Sequence, residues 1–300
     1  MFAERVPILV PFCIQRRDMM SKKEKYISPD DRMSEIIKDF QTLGYRQGIS
    51  TAFTDYITLA SCAISNSVDK LHYDEREKLY CKTIKKYAEE DQKLIKEIHH
   101  KIIGVMGECL YQKDVLGELF HKLNLSNSWN GQFFTPFHIA EFMALITVGN
   151  LSDEMKGKGY ATICEPTCGS GVMVIAAANA VYRANLNPSK NICVLAVDND
   201  IRCAMMAYIQ LSYLGIPAVV IHGDSLQVKE YTRFYTPVYM IGDWLWREPM
   251  SLTEHICDDD IKLRSMGNPL LNLIEKCKDS STELITETRG EMEDVLEQCQ

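Results

Sequence analysis

The sequence predicts an α/β chain in which a helical N-terminal domain leads into a parallel sheet with helices packed on it. Three observations carry this reading. Apolar residues recur at helical intervals from Pro29 to Leu125, and short β-rich runs alternate with helix-length segments after Asn130. A glycine-rich turn joins the first of those runs to its helix. The composition agrees: 300 residues with 46% hydrophobic and 25% charged content suffice for about two domains with a real core.

In chain order, residues 1–28 read as an N-terminal arm. Met19 or Met20 opens the polar run Ser21-Lys22-Lys23-Glu24-Lys25, so residues 1–18 are either a short native arm or translated upstream sequence around Arg16-Arg17. The stretch Val6–Ile14 is too short for a membrane span and is interrupted by Pro7 and Pro11. Residues 29–128 form the helical domain, with four to six helices expected. Asp30 or Asp31 caps the first, and Gly44 is expected to end it in the left-handed conformation. Tyr56–Ser67 is apolar enough to be buried. Asp74–Gly104 carries Leu79, Ile84, Tyr87, Leu94, Ile98 and Ile102 along one side. His99-His100 is no metal pair, because adjacent helical residues do not share a face.

The sheet domain spans 129–250. Its expected strands are Tyr160–Cys164, Ile192–Val197, Ala218–His222 and Val238–Ile241, separated by helices Val172–Asn185 and Ile201–Leu214. Alternation of this kind implies right-handed crossovers and a parallel sheet. Asp200 opens the second helix, and Gly215 with Pro217 closes it. Residues 251–300 form an acidic, helical tail, with 12 Asp/Glu against 5 Lys/Arg. The rest of the chain is nearly neutral within a total of −8, so no half of the molecule offers the basic surface that unaided DNA binding requires. Eleven cysteines with no Cys-x-x-Cys pair point to reduced thiols in a cytoplasmic protein rather than to disulfides or zinc.

Ligands of such sheets bind outside the carboxyl ends of the strands, where the chemistry-bearing residues stand. The first strand runs into Glu165-Pro166-Thr167-Cys168-Gly169-Ser170-Gly171. The loop lacks the Gly-Lys-Ser/Thr or third glycine of a phosphate cradle, and Glu165 repels a pyrophosphate while attracting a cation. The second strand ends at Asp198, suited to accept both hydroxyls of a ribose. The third ends in His222-Gly223-Asp224-Ser225, where Asp224 is placed for an adenine amino group, with Ile201 over the ring. Singly, each acid is an ordinary helix cap. Together they describe a site for a nucleoside without phosphates and with a cationic amino-acid end, which is S-adenosylmethionine.

With Asn130-Gly131-Gln132-Phe133-Phe134-Thr135-Pro136 ahead of Glu165–Gly171, the chain resembles the N6-adenine DNA methyltransferases of the type I restriction-modification kind, over roughly residues 30–245. The resemblance implies a Rossmann-like, S-adenosylmethionine-dependent methyltransferase sheet. It assigns Gln132, Phe133, Phe134, Thr135, Pro136, Glu165, Gly169, Ser170 and Gly171 to the methionine end of the cofactor, Asp198 to the ribose and Asp224 to the adenine, with Pro166, Thr167, Ile201 and Ser225 as further candidates for cofactor binding. The family's catalytic Asn/Asp-Pro-Pro-Tyr/Phe is degenerate here. Its register falls on Thr236-Pro237-Val238-Tyr239, making Thr236, Pro237 and Tyr239 the candidate catalytic residues, with Trp244 and Trp246 either stacking on an extruded base or packing the sheet edge.

The acidic stretch after Trp246 leaves little room for the family's remaining strands and target-recognition region. The expected function is methylation of adenine N6 in DNA within a restriction-modification or mobile-element system. DNA would be reached through a separate specificity subunit, with no membrane involved and homodimerisation left open. Two alternatives stand beside it: a catalytically inactive S-adenosylmethionine-binding subunit or regulator, and a methyltransferase with a protein or RNA acceptor.

Overall fold

A computed structural model describes residues 29–108, 113–125, 135–148, 155, 157–252 and 257–267. Six helices precede the sheet among them, and the first five are α1 (Pro29–Leu43), α2 (Ile49–Val68), α3 (Tyr73–Ile84), α4 (Glu89–Glu108) and α5 (Val115–Lys122). The run from Asp74 to Gly104 is therefore two helices. α1 does not end on a left-handed Gly44. The positive-φ glycine of this turn is Gly48, φ 85°, ahead of α2, and Gly44 is needed because a Cβ there would lie 2.8 Å from Ile49 Cα.

The second half of the described chain holds α6 (Phe137–Val148), β1 (Ala161–Glu165), α7 (Val172–Arg183), α8 (Pro188–Asn191), β2 (Ile192–Asp198), α9 (Ile201–Tyr213), β3 (Ala218–Asp224), β4 (Lys229–Tyr235), α10 (Pro237–Ile241), α11 (Trp244–Arg247) and α12 (Asp258–Ser265). The sheet order is β1-β2-β3-β4. The first three strands run parallel, and β4 folds back antiparallel on β3. Three of the four expected strands are present. The fourth, Val238–Ile241, is instead the helix α10. Pro237 explains the difference: its fixed φ and missing N–H suit the first helical turn and disfavour a sheet interior. The strand lies just before it, in the charged, aromatic segment Lys229–Tyr235.

Side chains alternating along β2 separate two layers. Ile192, Val194 and Ala196 face α7 and α9, in a core continuous with the N-terminal helices through Tyr56, Ile98 and Phe120. Cys193, Leu195 and Val197 face the opposite way, onto Tyr239, Met240, Trp244 and Leu245. α2 packs against α9 and α5 packs on both α4 and α9, so the helical layer leans directly on the helix that follows β2. A buried His99 fastens this junction: its Nδ1 is 3.1 Å from Tyr56 Oη and its Nε2 is 2.8 Å from Tyr213 Oη.

α6 lies along α7 through Ala140 and Ala144 and exposes Ile139, Phe142, Met143, Leu145 and Ile146. No helix among the described residues is long and apolar enough to cross a membrane.

Candidate cofactor site at the carboxyl edge of the sheet

The parallel register brings the ends of β1, β2 and β3 to one edge, with Glu165 beside Ala196 and Asp198 beside His222. The glycine loop turns there because two of its residues adopt conformations that favour glycine: φ is 55° at Gly169 and 97° at Gly171. A Cβ at Gly171 would make ordinary contact with Ala207 on α9, at 3.4 Å, so the backbone conformation rather than space selects glycine there. The loop closes on itself through Gly171 N–H, which donates to Cys168 O at 2.8 Å, and anchors to the sheet through Cys168 N–H, which donates to Val197 O at 2.8 Å.

Asp198 is the centre of the arrangement. Its Oδ2 accepts from Gly169 N–H at 2.8 Å and its Oδ1 from Asp200 N–H at 2.8 Å. One carboxylate thus ties the tip of β2 to the loop after β1. Burial raises the Asp198 carboxyl above its ordinary value against these two backbone donors, and neighbouring Asp200 adds to the rise. Each carboxylate oxygen has two acceptor sites, so both keep capacity toward the open edge. Asp200 caps α9 by accepting from Arg202 N–H at 2.9 Å, and Ile201 is the half-buried first residue of that helix.

Glu165 is half-buried and accepts from Thr167 N–H at 3.2 Å, while Pro166 and Thr167 are exposed at the loop's outer side. Asp224 accepts from Leu226 and Gln227 N–H, both at 3.0 Å, so in the free protein it shapes the β3–β4 turn. Ser225 is half-buried beside it. Thr135 and Pro136 lead into α6, whose Phe137 packs on a cluster containing Val172, the residue after Gly171. Gln132, Phe133 and Phe134 lie outside the described residues. The structure therefore gathers Glu165, Gly169, Asp198, Ile201 and Asp224 on one edge, with Thr135 and Pro136 entering the helix that flanks the loop's own.

Thr236, Pro237 and Tyr239 are not part of this group. β4 runs against β3, so its end meets the amino end of β3: Thr236 N–H donates to Ala218 O at 3.0 Å. Six strand steps separate Ala218 from Asp224, roughly 20 Å. Thr236 is fully buried, with Oγ1 donating to Ile216 O at 2.8 Å and accepting from Ala218 N–H at 2.9 Å. Tyr239 is fully buried too, its hydroxyl donating to Glu248 O at 3.0 Å and accepting from Met250 N–H at 3.2 Å. Thr236 and Tyr239 thus spend their side chains on the core at the amino end of β3, with half-buried Pro237 opening α10 between them, and none of the three joins the carboxyl-edge group. Trp244 belongs to the same cluster, edge-on to Tyr160 at 4.9 Å, and Trp246 packs against it.

Sequence reasoning missed two residues behind the loop, Asp114 and Gln210. Asp114 reads as an ordinary cap before Val115-Leu116-Gly117. Gln210 gave a usable signal, as an amide at a buried position of the otherwise apolar Met205–Leu211 stretch of α9.

No curated protein matches the chain at a significant level. Among solved structures, the chain is similar to a protein from Listeria monocytogenes assigned to the class I S-adenosylmethionine-dependent methyltransferases, at 10% identity, with 79% of each chain covered and a TM-score of 0.29. A likeness at that level leaves the fold to be read from the sheet itself. The family comparison bears on the site directly. The segment that runs from ahead of α5 through the glycine loop, Asp198 and Asp224 to the end of α10, residues 112–241, matches the family described as N-6 DNA methylase, the family its motifs resemble.

Proposed function

We propose that this chain binds S-adenosylmethionine at the carboxyl edge of its sheet and serves methyl transfer to adenine N6 in DNA. The observation that carries the reading is the bond from Gly169 N–H to Asp198, which presents a glycine turn and a carboxylate as one preformed surface inside the segment matching N-6 DNA methylases. The donor set fits the cofactor. Asp198 has acceptor capacity left for ribose hydroxyls, Glu165 places negative charge beside the loop for an ammonium group, and Ile201 offers an apolar edge to a purine. Bound there, the cofactor supplies an electrophilic methyl carbon on a sulfonium. The protein's part is to hold the nucleoside rigidly so that positioning lowers the barrier.

The near-neutral body of the chain supports delivery of DNA by a separate specificity subunit in a restriction-modification or mobile-element system. A second reading, a cofactor-binding subunit that performs no transfer by itself, is favoured by one specific observation. Thr236 and Tyr239 spend their hydroxyls on the core, far from Asp198.

Incubation of the purified protein with methyl-labelled cofactor and unmethylated DNA, with and without a candidate specificity subunit, separates the two. Label recovered as N6-methyladenine supports the enzyme. Cofactor binding with no transfer under either condition supports the binder.

A further inference from the structure

Behind the glycine loop, on the side away from the open edge, three elements converge on one buried polar knot. Asp114 stands immediately before α5, Ser170 sits in the loop between its two left-handed glycines, and Gln210 projects from α9. The exposures are 9% for Asp114 and 0% for Ser170 and Gln210. Ser170 Oγ donates to Asp114 Oδ2 at 2.6 Å, and Gln210 Nε2 donates both to Asp114 Oδ1 and to Ser170 O at 2.8 Å. Gln210 Oε1 accepts from Leu116 N–H at 3.1 Å, and Asp114 Oδ1 accepts from Gly117 N–H at 2.9 Å. Both the hydroxyl and the carbonyl of Ser170 are therefore fixed from behind. A Cβ at Gly117 would collide with the Asp114 carboxylate and Ser170 Oγ, so the approach of α5 to the loop is itself part of the fit.

A buried carboxylate without such donors is costly, and burial raises the Asp114 carboxyl against the hydrogen bonds from Ser170, Gln210 and Gly117. An apolar trio would fill the same space at less electrostatic cost. What the polar trio adds is direction: it specifies the orientation of the Ser170 peptide, and with it the backbone of the flanking Gly169 and Gly171.

We propose that Asp114 and Gln210 are positioning residues of the cofactor loop, acting through Ser170, and that they couple α5 in the helical layer to cofactor binding. This deepens the proposed function and rests on its cofactor assignment. Asp198 holds the loop at Gly169 from the sheet side, and Asp114 holds it at Ser170 from the helical side.

The test is a set of full-length variants, Asp114→Ala, Asp114→Asn, Ser170→Ala and Asp114→Ala/Ser170→Ala, read by calorimetric titration with S-adenosylmethionine and by amide hydrogen exchange at Gly169–Gly171 without it. Asp114→Ala and Ser170→Ala are each expected to weaken binding about tenfold, and the double variant no more than either, because one linkage is lost in all three. Asp114→Asn, which keeps acceptors for Gly117 and Gln210 and a donor that Ser170 Oγ can accept, should recover most of the affinity. Loop amides should exchange faster in Asp114→Ala while those of β2 and β3 remain protected.

A merely structural role would lower thermal stability without this pattern. Unchanged cofactor affinity and unchanged loop exchange in Asp114→Ala would overturn the proposal. Should Asp114→Ala not fold, unchanged values for both in Ser170→Ala would overturn it equally. Wild-type protein that binds no cofactor would sink the functional reading and with it the coupling to cofactor. Loop exchange in the variants then still decides whether Asp114 holds the loop.

Discussion

Asp198 shows how one side chain can serve fold and ligand together. Its two oxygens take the N–H groups of Gly169 and Asp200, so removing it releases the glycine loop as well as any ribose contact. Gly171 is constrained differently, by its positive φ. Gly171→Ala should cost on the order of 1–2 kcal/mol in unfolding free energy, since an L side chain must be held in the left-handed region. Chemical denaturation measures this, and a loss near zero would mean that the loop relaxes without penalty. Thr236 gives the opposite contrast. Thr236→Val keeps its shape and β-branching but strands Ala218 N–H and Ile216 O, and should cost about 1–3 kcal/mol. Its cofactor affinity should match wild type, because the side chain closes the far end of β3. A large loss of affinity in that variant would place Thr236 at the ligand edge instead.

At the scale of elements, legibility followed the strength of local signals. β2 and β3 were readable because they are buried, β-branched runs bounded by turn residues, and α9 because Asp200 and Gly215 punctuate it. β4 was not readable. An antiparallel edge strand needs only one buried face, so it tolerates Lys229, Glu230 and Arg233, the last neutralised by Glu230 three residues before it and by Asp260 in a contact that no local window reveals. The run after it, Val238–Ile241, is β-rich in composition, but Pro237 ahead of it starts a helix. The site divides similarly. Glu165, Gly169, Gly171, Asp198 and Asp224 were legible because strand ends recur in order along the chain. Asp114 and Gln210 were not, being 56 and 40 residues from the Ser170 they hold. α6 adds its own prediction. Ala140 and Ala144 carry its packing while Phe142 and Ile146 are 64% and 67% exposed. Replacing the latter pair with serine should therefore change unfolding free energy by less than about 0.5 kcal/mol per site, whereas Ala144→Asp should destabilise strongly. Urea titration of the three variants distinguishes the faces.

For the whole molecule, the polar contacts along the seam between the helical layer and the sheet layer include the Asp114 knot and, second, His99 between Tyr56 and Tyr213. The second gives the fold a pH signature. Burial lowers His99 from its ordinary 6.5 to about 4, because an imidazolium among α2, α4 and α9 loses its hydration. The unfolded chain protonates near the ordinary value and the folded chain only near the lowered one. The stability that His99 contributes is thus fully present above the ordinary value and is lost as pH falls toward about 4. Its share of the loss should reach about 3 kcal/mol. A His99→Gln variant should flatten that segment of the stability profile even if it is less stable at neutral pH. Equal slopes in the two proteins would show that His99 titrates normally.

The central claim, that the carboxyl edge of this sheet is an S-adenosylmethionine site organised by Asp198, is tested most directly by calorimetric titration of wild type beside Asp198→Ala. Saturable binding in the wild type is predicted, with affinity reduced at least about tenfold in a folded Asp198→Ala protein. Absence of binding in well-folded wild type, or equal binding by both proteins, would contradict it.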